Sequence, residues 1–164
     1  MSTFSRVEQK YQIHINKLKE DAIREVRMDS LKQVTDLYTN TNYDKIDSTN
    51  LNELRDFLNL KLLSQLLSTI ADPITQIRIK ALKFLNSIIC NNKLEIEEER
   101  LAWTFHAVFN RLDFINNVYV EPIEEIRLEL IKSITLILSQ KKFNIASMLS
   151  DFLGVLSRIC FDSN

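Results

Sequence analysis

The chain has 164 residues, 45% of them hydrophobic, with 21 basic against 22 acidic residues, one glycine and two prolines. That length accommodates one domain with a sizeable core, or a short solenoid, and leaves no room for a second enzyme-sized domain. The net charge of −1 carries no electrostatic footprint for nucleic acid, the lone glycine excludes a glycine-rich phosphate loop, and no apolar run reaches the roughly 20 residues of a membrane span.

The start, Met1-Ser2-Thr3-Phe4-Ser5-Arg6, lacks the apolar centre of a signal peptide, so a cytoplasmic location is expected. Cys90 and Cys160 are too few for a disulfide framework and are expected as buried thiols. A first helix is expected over residues 4–20. The frame Asp21-Ala22-Ile23-Arg24-Glu25-Val26-Arg27 then opens a second, with Leu31, Val34, Leu37 and Tyr38 following at helical spacing.

A polar joint over 39–50 leads to a helix over 51–70, for which Asn50 and Glu53 form a capping box. Its stripe of Leu54, Leu58, Leu62 and Leu66 reads as core. Asp72-Pro73-Ile74-Thr75-Gln76-Ile77-Arg78 repeats the earlier frame with a proline added. The acidic residue is expected to cap the helix and the proline to take its first position. At about 100° per residue, Ile74, Ile77, Ala81, Leu82, Leu85 and Ile88 face inward, leaving Gln76, Ile79, Lys80, Lys83 and Asn86 outward.

After a joint at 91–93, residues 94–112 are expected as one helix. Glu95, Glu97, Glu98 and Glu99 favour its start through the helix dipole, and Leu101, Phe105, Val108, Phe109 and Leu112 form its core stripe. A joint over 113–121 precedes Glu121-Pro122-Ile123-Glu124-Glu125-Ile126-Arg127, in which Pro122 stands 49 residues beyond Pro73. A final helix is expected over 143–161. Its apolar residues lie on more than one side, so residues 1–164 are expected to form one HEAT-repeat, armadillo-type domain, the amino-terminal part of a longer solenoid, with self-association possible through the open end. A small bundle that closes on itself is the competing reading.

Repetition at about 50 residues predicts an all-α fold, a right-handed α-α superhelix of HEAT-like helix pairs with about three and a half repeats. Armadillo repeats usually add a third short helix and a glycine bend, which this chain lacks. Asp21, Asp72 and Glu121 with Arg27, Arg78 and Arg127 are candidates for an acid–arginine ladder of structural role.

No catalytic, cofactor-binding or metal site is expected. His14 and His106 have no second ligand at metal-site spacing, and neither cysteine belongs to a Cys-x-x-Cys pair. No pair of groups has the spacing that acid–base chemistry needs. Carrying the frame across the repeats places Lys32, Lys83 and Lys132 at one outward position, beside Met28, Ile79 and Leu128. In a stacked solenoid these would form a lysine column and an apolar column on the concave face, fit to seat an acidic amphipathic helix; the alternative is that the lysines are merely exposed helix formers. Trp103 falls off the core stripe of its helix and is either a partner anchor or packed on a neighbour.

A helix running into Arg111-Leu112, a short joint, and the string Glu121-Pro122-Ile123-Glu124-Glu125-Ile126-Arg127-Leu128 resemble the amino-terminal repeats of the HEAT-repeat dynein axonemal assembly factor family. The Ala71-Asp72-Pro73 turn is similar to the preceding repeat of that family, and the first 50 residues match it loosely. The resemblance implies a cytoplasmic, non-enzymatic factor that helps assemble dynein arms alongside chaperones, with dynein chains or chaperone components as partners. The alternative is a HEAT interaction module of another assembly, in transport, a phosphatase scaffold or the cytoskeleton.

Overall fold

The structure, a computed structural model, describes residues 4–19, 23–115, 118–140, 143–144, 146, 149, 152–154 and 156–157. Two compact units emerge, Met1–Glu97 and Glu98–Asn164.

The first unit holds α1 (Phe4–Lys19), α2 (Arg24–Thr39), α3 (Ser48–Phe57), a π-helical turn (Leu58–Leu62), α4 (Leu63–Thr69) and α5 (Thr75–Cys90). Helix α1 packs on α2, α3 and α4, while α5 packs on α2 and α4. The predicted leucine stripe is the centre of this core, with Leu58, Leu62 and Leu66 fully buried and Leu54 nearly so. Leucines four apart drift by about 40° per step on a regular α-helix. The wider turn at Leu58–Leu62 takes up that drift and keeps the stripe on one face.

Several boundaries differ from the sequence reading. Helix α3 starts at Ser48, and its cap is Asp47, whose carboxylate accepts the Asn50 N–H at 2.9 Å. Residues 94–97 do not join α6. Leu94 and Ile96 are buried while Glu95 and Glu97 are exposed, an alternation that suits extended chain. Buried Asn59 fixes this stretch, donating to the Glu95 carbonyl at 2.9 Å and accepting the Glu97 N–H at 3.1 Å.

The second unit holds α6 (Glu98–Leu112), a two-residue antiparallel pair of β1 (Phe114–Ile115) and β2 (Val118–Tyr119), and α7 (Glu124–Leu138). The strand pair replaces the expected irregular joint; its sequence signal is apolar dipeptides flanking Asn116-Asn117. The predicted α6 stripe is buried throughout. Its phenylalanines anchor an aromatic cluster: Phe105 stacks on Phe109 at 5.4 Å between centroids, and both approach Phe152, at 5.9 and 5.2 Å. Most of the expected helix over 143–161, with Cys160, lies outside the described residues, as does Asp21.

The two proline frames share one local construction that the sequence reading placed wrongly. Neither acidic residue caps its helix, because α5 is preceded by Ile74 and α7 by Ile123 in extended conformation, with no side-chain cap. The residue before a proline is held out of the helical region, so the turn comes first and the helix starts later. Asp72 instead accepts the Ile74 N–H at 2.8 Å, and Glu121 the Ile123 N–H at 3.2 Å. The arginine six residues on reaches back to the turn: Arg78 Nη1 donates to the carbonyls of Asp72 and Pro73 at 2.8 and 3.2 Å, and Arg127 Nη1 to those of Glu121 and Pro122 at 3.0 and 2.8 Å.

Candidate partner-binding groove

Within the first unit the two second helices, α2 and α5, are tied at their starts. Arg24 donates to Gln76, and Arg27 grips the Asp72 carboxylate with Nε 2.9 Å from Oδ2 and Nη2 donating to Oδ1 at 3.3 Å. This two-point contact gives geometric specificity as well as attraction. Farther along, the rings of Tyr38 and Phe84 meet at 5.9 Å. Between the two ties and outside that ring pair the helices leave an open cleft of about 310 Å³. Lys32 and Asp36 from α2, with Lys80 and Lys83 from α5, rim it, while Leu31 and Phe84 lie at its base.

The structure therefore brings Lys32 and Lys83 together and adds Lys80, which is outward by helical angle but no part of the expected site. Lys132 is exposed on α7 of the second unit. Met28 and Ile79 are half-buried and Leu128 is 61% exposed. Asn86, expected outward, is buried: α5 has neighbours on two sides, and Phe84 and Ile89 are buried with it, so its covered face is wider than one stripe. Trp103 is 51% exposed, with the Arg100 guanidinium 4.8 Å above its ring. Cys90, expected buried, is exposed at the end of α5.

A second cleft of about 290 Å³ adjoins the first. The two share Thr39 and Ser87, so they form one groove along α2 and α5. Tyr43, Thr41 and Asn91 line its far end. Tyr43 donates through its hydroxyl to the Tyr38 carbonyl at 2.8 Å, and Tyr38 to the Leu54 carbonyl at 3.0 Å. Burial pushes the Tyr43 phenol up to about 12 and, with Tyr43 as a lesser neighbouring cause, holds the Tyr38 phenol well above the usual tyrosine range.

Among the described residues, no group of three or more His, Cys, Asp or Glu is placed to hold a metal ion, and no helix is long and apolar enough to cross a membrane.

These features define an all-α protein built of repeated helix pairs. Residues 17–164 match the family model described as dynein axonemal assembly factor 5-like, TPR repeats. The chain belongs to that family. Its repeat spacing of about 50 residues is longer than the roughly 34 of a tetratricopeptide unit and closer to the roughly 40–47 of HEAT pairs. No curated protein and no solved structure matches the chain significantly.

Proposed function

We propose that this chain is a non-catalytic cytoplasmic scaffold in the preassembly of axonemal dynein arms, holding acidic segments of dynein chains or chaperone components against its second helices. The observation that carries the reading is the lysine-rimmed groove between α2 and α5, in a chain of the dynein axonemal assembly factor 5-like family. An open groove with an apolar base and cationic rim suits a peptide segment better than a small reactant. Met28 and Ile79 would flank this groove, and Lys132 with Leu128, exposed at the equivalent position of the third frame on α7, would make a partner contact of their own. Trp103, 51% exposed, would serve as a separate anchor, since tryptophan and arginine are both enriched among partner hot spots.

We also read residues 1–164 as part of a longer array. Ile131 and Leu138 on α7 are exposed, apolar surface of the kind that a further helix pair would cover.

The test is affinity purification from the cytoplasm of a ciliated cell, with the chain as bait beside a K32E/K83E/K132E variant checked for unchanged helical circular dichroism. Recovery of axonemal dynein chains or chaperone subunits by the first bait and their loss from the second is expected. Retention by the variant, or recovery of unrelated assemblies alone, would overturn the reading.

A further inference from the structure

The groove is chemically unlike at its two ends. At the first, three ammonium groups, from Lys32, Lys80 and Lys83, stand against the single carboxylate of Asp36. At the second there are no lysines or arginines among the lining residues, which are Tyr38, Thr39, Thr41, Tyr43, Ser87, Ile88, Asn91 and Leu94. Their hydroxyl protons are already committed. Thr39 Oγ1 donates to the Thr35 carbonyl at 3.0 Å, Ser87 Oγ to the Phe84 carbonyl at 2.7 Å, and Tyr43 to the Tyr38 carbonyl at 2.8 Å. A hydroxyl whose proton is spent presents only lone pairs to a ligand. The carboxyl ends of α2 and α5 come to this same end, at Asn40 and Asn91, and helix carboxyl ends carry partial negative charge. One end therefore attracts anions, while the other turns mainly hydroxyl lone pairs toward a donor, beside the Asn91 amide, whose Oδ1 accepts the Lys93 N–H at 3.0 Å.

We infer that the groove takes an extended peptide segment of segregated charge, with carboxylates at the Lys32, Lys80, Lys83 end and a lysine or arginine at the Thr39, Tyr43, Ser87, Asn91 end. This rests on the scaffold reading above and deepens it by fixing the composition and placement of the bound segment. From Lys80 to Asn91 the rise along α5 is about 16 Å at 1.5 Å per residue, which accommodates about five extended residues. The charged head groups lie at the ends of that span, and the apolar base at Leu31 and Phe84 receives the aliphatic part of the segment near its acidic end.

The test uses two fluorescent hexapeptides of one composition, Glu-Glu-Leu-Ser-Lys-Lys and Glu-Lys-Leu-Ser-Glu-Lys, titrated with the 164-residue chain by anisotropy. The segregated peptide is expected to bind about ten-fold more tightly, the size that two or three partly exposed charge contacts supply. A K32E/K80E/K83E variant with unchanged circular dichroism is expected to lose that preference. A nitroxide on the lysine end of the peptide should broaden the NMR signals of Thr41 and Tyr43, and one on the glutamate end those of Lys32 and Lys80. Equal affinities, the reverse broadening pattern, or no binding of either peptide would overturn the inference. Should partner capture fail in the lysine variant while the two peptides bind alike, the scaffold reading stands and the charge-segregated occupant does not.

Discussion

The frames 72–78 and 121–127 build the same turn and then diverge. In both, the acidic residue accepts the N–H two positions on, and the arginine six positions on clasps the two carbonyls before the helix. The carboxylate's cationic neighbour differs: Asp72 is gripped by Arg27 of the preceding second helix, whereas fully buried Glu121 holds Arg111 of the first helix of its own pair at 2.6 Å. Burial of the following helix differs as well. Leu82 is fully buried on α5, while Ile131, its counterpart on α7, is 51% exposed. One sequence frame thus fixes a local turn reliably, while tethering and burial depend on what each helix meets.

A large effect is expected at Glu121. Glu121→Ala leaves Arg111 without this carboxylate and frees the Ile123 N–H, so a loss of about 3 kcal/mol is expected, read as a lowered midpoint in urea denaturation followed by amide exchange of α7. A loss as small as that of an exposed ion pair would show that the Glu121 contact is not the tether described.

Next comes the burial contrast. Leu82→Ala should cost about 2–5 kcal/mol, and Ile131→Ala less than about 1 kcal/mol, as surface substitutions do. Equal losses from the same denaturation experiment would mean that α7 is as covered as α5.

The smallest effect is a pH dependence placed in the first unit. Tyr43, pushed up to about 12, and Tyr38, also raised, keep their protons in the folded chain above the pH at which an unfolded tyrosine releases them. The unfolded state then binds fewer protons, so stability falls as pH rises from about 10 through the folded values. Urea midpoints between pH 9 and 11.5 should decline for the wild-type chain and less steeply for Tyr43→Phe. An identical decline in both would remove Tyr43 as a cause.

What the sequence carried well was whatever depends on helical period: the leucine stripe of α3 and α4, the α6 stripe, and the pairing of the frames. It carried poorly what depends on neighbours. Asn86 looks outward by angle, yet α5 is packed on two sides. Residues 94–97 look helical by their glutamates, yet Asn59, more than thirty positions earlier in the chain, holds them extended. The same limit applies to the site. Lys32 and Lys83 were legible as equivalent positions, but their joining with Lys80 around one groove, and the spent hydroxyls of Thr39, Tyr43 and Ser87 at its far end, required the packing of α2 on α5.

The most direct measurement of whether this groove receives the partner is site-specific photocrosslinking in ciliated-cell cytoplasm, with a photoreactive residue in place of Ser87, at the middle of the groove, or of Trp103 on α6. The account predicts that dynein or chaperone peptides are joined at position 87 and that the K32E/K80E/K83E background abolishes the product. Partners that co-purify and crosslink at 103, with none at 87, would contradict it.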